Sequence, residues 1–227
     1  MQSILISCGH LWKDSGAISE GIREVDINWV QTIACLSYLN TIPFSDSYEF
    51  SFLVPEGFEQ DLKYGAYLDN YKLYEHSRIP RMLTITDRVN AANRSNSILI
   101  ELHNNIFSDP EVGGSEAIIF SKKNKYREDS EANKLSVSIL NKLSSVERSR
   151  GVKELYSRDQ RNYVVPRERR PAILYKTLNT AVIVETGFIS NLQYRKRINN
   201  FAYNTFIGTL IGQGIVNYIK NYNVQIA

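Results

Sequence analysis

Two stretches of this chain carry apolar residues without a break where a half-exposed strand would alternate. One is Ile98-Leu99-Ile100 within residues 97–107, and the other runs from Ala181 to Val184. Short uninterrupted runs between polar flanks read as strands buried on both faces, the habit of parallel sheets covered by helices. A third compact run, residues 3–8, stops at Gly9-His10. Together they predict an α/β fold of three layers, a mostly parallel twisted sheet with helices on both faces. In such sheets the functional crevice lies beyond the carboxyl ends of the strands.

The segments between these strands support that frame. Residues 11–21 hold two glycines and little periodicity, as a loop does. From about Ile22, the apolar residues Ile22, Val25, Trp29, Ile33 and Leu36 recur at helical spacing, with Glu20 and Glu24 at the end where carboxylates suit the helix dipole. Residues 48–54 alternate as a strand and Pro55-Glu56-Gly57 ends it. Tyr64, Tyr67, Tyr71 and Tyr74 form a packing stripe, and His76 is a surface or loop histidine. Residues 86–95 form a short helix, 117–120 a short strand, and 130–145 an amphipathic helix through Leu135, Ile139 and Leu143. Arginines cluster from Arg148 to Arg170, which reads as a solvated loop or as an excursion that grips an anionic polymer. The last helix, 201–222, carries Phe206, Leu210, Gly214 and Tyr218 on the stripe that covers the sheet. No internal repeat is visible.

Composition narrows the setting. The 227 residues, 43% of them hydrophobic, suffice for one domain over residues 1–227, and no linker to a second is visible. A net charge of +3, with basic and acidic residues interleaved, leaves no footprint for nucleic acid. Cys8 and Cys35 are the only cysteines, which suits a reducing compartment at synthesis. No run is long enough for a membrane span, and the amino terminus lacks the charged region and cleavage site of a signal peptide. The expectation is a cytoplasmic protein at synthesis.

Three predicted strands end in ionisable groups, His10, His103 and Glu185, and Glu24 opens the helix after the first. By the crevice rule all four meet at one sheet edge. Two imidazoles and one carboxylate make a three-ligand zinc set that leaves a position for water, and the remaining carboxylate is placed to act as a base. A Cys8 nucleophile paired with His10 is the weaker arrangement, because no third group orients the pair.

The same residues resemble the zinc-dependent N-acetylmuramoyl-L-alanine amidases of bacterial cell-wall turnover and phage lysis, the amidase type 3 family. The resemblance lies in Gly9-His10 with Asp14 and Gly16-Ala17, in Glu24-Val25-Asp26-Ile27-Asn28, and in Leu102-His103-Asn104-Asn105 followed by Gly114-Ser115-Glu116. It continues in Arg150-Gly151-Val152-Lys153 and in Val184-Glu185-Thr186-Gly187-Phe188-Ile189-Ser190-Asn191. It implies zinc held by His10, Glu24 and His103, with Glu185 as the catalytic carboxylate. Glu20 is the rival for the helix ligand, and the Asp26-Ile27-Asn28 that follows favours Glu24. The implied substrate is bacterial peptidoglycan, cut by zinc-activated water at the amide between N-acetylmuramic acid and L-alanine of the stem peptide. The implied setting is that of an endolysin, which reaches the wall by holin-dependent release or as part of a phage particle. The alternatives are a zinc peptidase that cuts within the stem peptide and an inactive wall-binding or virion structural protein of the same fold.

This chain departs from the family at Ser7, where the family carries Asp, at Leu11, where it carries Gly, and at Glu101, where it carries a small residue. Residues two apart on a strand share a face. Glu101 therefore stands either beside the site, where a partner orienting a ligand would be, or under a loop. Two segments are expanded relative to the family core, about 41–85 and 154–171, and loops around a crevice commonly select substrate. Deleting residues 158–170 is accordingly expected to weaken both binding and cleavage of isolated sacculi, read by pull-down and by release of soluble fragments.

Overall fold

The computed structural model of the chain describes residues 2–10, 14–42, 48–52, 84–121, 130–156 and 171–222. From the amino end come β1 (Gln2–Cys8), the short β2 (Ile18–Ser19) and β3 (Ile22–Arg23), α1 (Glu24–Asn40), β4 (Tyr48–Phe52), α2 (Ile85–Arg94) and β5 (Ile98–Asn105). Then follow β6 (Ser115–Ser121), α3 (Glu131–Leu143), β7 (Ser149–Tyr156), α4 (Ala172–Lys176), β8 (Ala181–Phe188), α5 (Leu192–Ile198) and α6 (Phe201–Tyr222). The two uninterrupted apolar runs are neighbours: β5 and β8 pair in parallel, with His103 opposite Glu185. The six-stranded sheet has the order β4-β1-β5-β8-β6-β7. β4, β1, β5 and β8 run parallel, whereas β6 is antiparallel to β8 and parallel to β7. β2 and β3 form a separate antiparallel pair.

Alternation along the central strands sends each apolar run into two cores. Ile4, Ile6, Ile98, Ile100, Leu102, Val182 and Val184 face α1, α3 and α6, where they meet Cys35, Leu39, Leu135, Ile139, Ile211 and Ile215. Leu5, Leu99, Ala181 and Ile183 face α2 and α4, where they meet Val89, Ala92, Ile173 and Leu174. Thr84 and Asp87 close a reciprocal cap at the start of α2, and Ser130 caps α3 by accepting from the Asn133 N–H.

Three glycines let α6 lie close to its neighbours. A Cβ on Gly208 would collide with the Gln31 carbonyl oxygen of α1, one on Gly212 would sit 2.7 Å from Tyr38 Cδ1, and one on Gly214 would sit 2.5 Å from Ile139 Cα of α3. The stripe on α6 therefore runs through Ile207, Leu210, Ile211, Gly214, Ile215 and Tyr218. Phe206, expected on that stripe, is 47% exposed, because Ile207 occupies the buried direction one residue later.

Other expectations need correction. Ile22 belongs to β3, and the helix begins at Glu24. The arginine-rich stretch is not a loop throughout, since residues 149–156 form the edge strand β7. Val152 packs on one core and Leu155 on the other, so a few apolar anchors suffice while the charged residues occupy the edge. Leu11, the turn at Pro55-Glu56-Gly57, the four tyrosines Tyr64, Tyr67, Tyr71 and Tyr74, His76, and residues 157–170 lie outside the described residues.

Gly214→Val is expected to destabilise the fold by about 2–3 kcal/mol through forced separation of α6 and α3. The change should appear as a lower urea midpoint with an unchanged slope.

Candidate metal centre

Three elements deliver the histidines and the helix carboxylate to one point at the carboxyl end of the sheet. β1 ends at Cys8, the Gly9 N–H still donates to the Leu102 carbonyl at 2.7 Å, and His10 then turns the chain with a φ of 59°. The loop returns through Gly16, at φ 65°, where a Cβ would lie 2.5 Å from both Glu24 Oε2 and His10 Cδ2. Only glycine permits both that backbone angle and that approach. The loop then hydrogen-bonds into the first turn of α1, with the Glu24 N–H donating to the Ala17 carbonyl at 2.9 Å. His103 enters from β5.

Glu24, 4% exposed, lies between the two rings. Its Oε1 is 2.8 Å from His103 Nδ1 and its Oε2 is 3.2 Å from His10 Nε2. The Ala17 and Asn104 N–H groups donate to it at 2.9 and 3.0 Å. One ligand atom from each of His10, Glu24 and His103 lies within 4.8 Å of the others. Two neutral imidazoles and a carboxylate are the donors a divalent ion such as zinc takes. The residues fit a metal on that chemistry. Glu20, the rival, is exposed and pairs with Arg195 at 2.8 Å.

The electrostatics show a site short of positive charge. Burial alone would raise the Glu24 pKa, but hydrogen bonds with His10 and His103 outweigh it and hold the group well below the usual carboxylate range. Burial likewise favours a neutral His103, yet hydrogen bonding to Glu101 and Glu24 and the charges of Glu101 and Glu185 push it up to about 10. His10 rises for the same reason, as Glu24 and Asp14 overcome burial. Glu185 is opposite: burial raises it from 4.5 to about 7, and the positive charge of His103 offsets this only in part. Its Oε2 is buried without a hydrogen-bond partner. A cation set among these groups would favour the neutral imidazoles and the ionised form of Glu185.

Several supporting residues escaped sequence reasoning. Asp14 appeared only as a motif residue, and the structure places its Oδ2 2.8 Å from His10 Nδ1. Arg88 was missed: it is 5% exposed in α2 and pairs with Glu101. The signal was available, because Arg88 stands beside Val89 and one turn before Ala92, inside the buried stripe of that helix. Glu116, fully buried and opposite Glu185 across β6 and β8, takes Arg150 at 2.9 Å and Lys153 at 2.7 Å. Behind the histidines, Asn104 donates to Asn28 at 2.7 Å and accepts from Thr186 at 2.9 Å and from Tyr194 at 2.5 Å. Cys8 faces the Gly9 and Val25 carbonyls with its thiol pKa pushed up by burial, which suits core packing rather than nucleophilic attack.

Comparison with known proteins yields one family and one fold. The profile of the amidase type 3 family, N-acetylmuramoyl-L-alanine amidase, matches residues 62–217, a span that contains His103 and Glu185 and leaves out His10 and Glu24. Among solved structures, N-acetylmuramoyl-L-alanine amidase AmiC2 of Nostoc punctiforme is similar at a TM-score of 0.69 and 18% identity, covering 97% of this chain and 98% of that one. The catalytic domain of CwlV, an N-acetylmuramoyl-L-alanine amidase from Bacillus (Paenibacillus) polymyxa var. colistinus, gives 0.67 and 19%, covering 97% and 99%. The catalytic domain of the CD27L endolysin targeting Clostridia difficile gives 0.59 and 20%, covering 96% and 98%. At these identities the likeness is one of fold. No curated protein matches the chain in sequence.

The raised Glu185 pKa makes stability depend on pH. The folded chain holds this proton up to about 7 and the unfolded chain only to the ordinary 4.5. The group's stabilisation is therefore complete below 4.5 and lost as pH rises through 7, beyond which the buried anion costs about 3 kcal/mol. In metal-free protein, Glu185→Gln should leave stability near the parent's at pH 4 and raise it by a few kcal/mol at pH 8, measured by urea unfolding with chelator present. An equal effect at both pH values would contradict the assigned shift.

Proposed function

Because this chain belongs to the N-acetylmuramoyl-L-alanine amidase family of type 3, we propose that it hydrolyses bacterial peptidoglycan at the amide between N-acetylmuramic acid and L-alanine. In this reading His10, Glu24 and His103 hold zinc, and Glu185 is the catalytic carboxylate. The observation that carries it is the meeting of two imidazoles and a buried carboxylate from β1, α1 and β5 within 4.8 Å, beside the strand that carries Glu185.

Zinc, when bound, supplies Lewis acidity, which lowers the pKa of a water toward neutrality and polarises the carbonyl under attack. Every proton movement falls to Glu185. Without a cation its pKa is about 7, and a cation nearby lowers it, so the carboxylate is ionised at neutral pH. It accepts a proton from the attacking water as the new C–O bond forms on the lactyl carbonyl. It then donates that proton to the alanine nitrogen as the C–N bond breaks, which releases a neutral amine. Its Oε2 carries no hydrogen bond from the protein that would oppose either transfer. Asp14 holds the Nδ1 side of His10 and leaves Nε2 toward Glu24.

The proposed setting is the bacterial wall reached during phage lysis, by holin-dependent release or on the particle, and the shared fold of the CD27L endolysin supports it. No helix among the described residues is long and apolar enough to cross a membrane. The chain is read as one catalytic domain, with residues 41–85 and 154–171 shaping the groove.

Mass spectrometry of digested sacculi should find newly freed L-alanine amino groups; other stem-peptide amines would instead identify a peptidase. Glu185→Gln should lower lysis by on the order of 10²–10⁴-fold while zinc content and sacculus binding persist. Chelation should abolish activity and added zinc restore it; lysis unaffected by chelator would end the zinc reading.

A further inference from the structure

Glu101 is 3% exposed, two residues before His103 on β5 and on the same face of the sheet. One of its oxygens pairs with Arg88 Nη1, and the same nitrogen donates to the Cys8 carbonyl at 3.0 Å and to Ser7 Oγ at 3.3 Å. The other oxygen, Oε2, lies 3.8 Å from His103 Nε2. The ring has little room to move, because a Cβ on Gly9 would collide with that same nitrogen. His103 thus presents its two nitrogens to different partners, Nδ1 to Glu24 at 2.8 Å and Nε2 to Glu101.

A neutral imidazole has one N–H and one lone pair, and a cation takes the lone pair. With Nδ1 turned toward Glu24, a cation bound there would take the Nδ1 lone pair and leave the proton on Nε2. A carboxylate anchored by an arginine on that side favours this tautomer and disfavours a flipped ring. Asp14 does the same for His10 with the nitrogens reversed, since it holds Nδ1 and leaves Nε2 toward Glu24.

We propose that Glu101, anchored by Arg88, is a positioning residue that fixes the tautomer and orientation of His103 and so tightens the site's hold on zinc. The inference rests on the zinc reading above. The competing role is charge balance alone, because a buried guanidinium needs a counter-charge. The register separates the two roles: Ser7 stands opposite Glu101 across β1 and β5 and already touches Arg88, so a carboxylate at position 7 would balance Arg88 from a different strand than His103.

The test compares the full chain with Glu101→Gln and with the double variant Ser7→Asp plus Glu101→Ser. The readouts are zinc affinity by chelator competition and the ¹⁵N spectrum of the histidines in zinc-loaded protein. In Glu101→Gln the amide oxygen goes to Arg88 and leaves an N–H donor facing Nε2, which favours the wrong tautomer. The double variant keeps the counter-charge and with it the fold, so it decides the question should Glu101→Gln fail to fold. Both are expected to bind zinc about 10–100-fold more weakly. The Nε2–H resonance of His103, present in the parent, should be lost or broadened. A double variant with the parent's zinc affinity and an unchanged His103 spectrum overturns the proposal and leaves Glu101 as a counter-charge only. A parent that takes up no zinc overturns the zinc reading, and this inference with it.

Discussion

Everything at this site depends on keeping one carboxylate out of water. Glu24 is buried at the head of α1, where an unpaired charge would cost several kcal/mol. The cost is met by two backbone N–H groups and two imidazoles that reach it from separate parts of the chain. The fold can be read outward from that requirement. β1 and β5 must be adjacent so that His10 and His103 flank the helix end, and Gly16 must be a glycine so that the loop from His10 back to Glu24 can close.

Two layers of polar structure make the arrangement rigid. Beneath it, Asn28, Gln31, Asn104, Thr186 and Tyr194 form a buried network that ties α1, β5, β8 and α5 together. To its sides, Arg88 and the pair Arg150 and Lys153 neutralise Glu101 and Glu116. What stays uncompensated among these carboxylates is Glu185, whose Oε2 is buried without a hydrogen-bond partner and whose pKa burial raises to about 7.

The sheet was legible because both faces of its central strands are covered, and a doubly covered strand writes itself as an unbroken apolar run. His10, His103 and Glu185 were legible for a related reason: each follows such a run, and polar residues at strand ends are few enough to notice. Arg88 was harder to see. A lone arginine on a helix reads as solvated surface unless its helical phase is checked against the buried stripe, and its partner Glu101 stands on a different element. β7 was harder for the opposite reason. An edge strand needs little apolar area, so its Arg150, Lys153 and Glu154 resembled a loop, and only pairing with β6 identifies it.

Local pattern, then, determined most of the strands and helices, that the sheet is mostly parallel, and which ionisable groups stand at the carboxyl ends of its strands. Tertiary structure alone decided which of those groups touch. Periodicity could not choose between Glu20 and Glu24, which both lie near the start of α1. The choice follows from the return of the loop through Gly16, which turns Glu24 inward and sends Glu20 out to Arg195. The physical reason is range. Backbone propensity and burial pattern act over a few neighbouring residues, whereas a shared charge joins side chains whose separation in sequence carries no information about their separation in space.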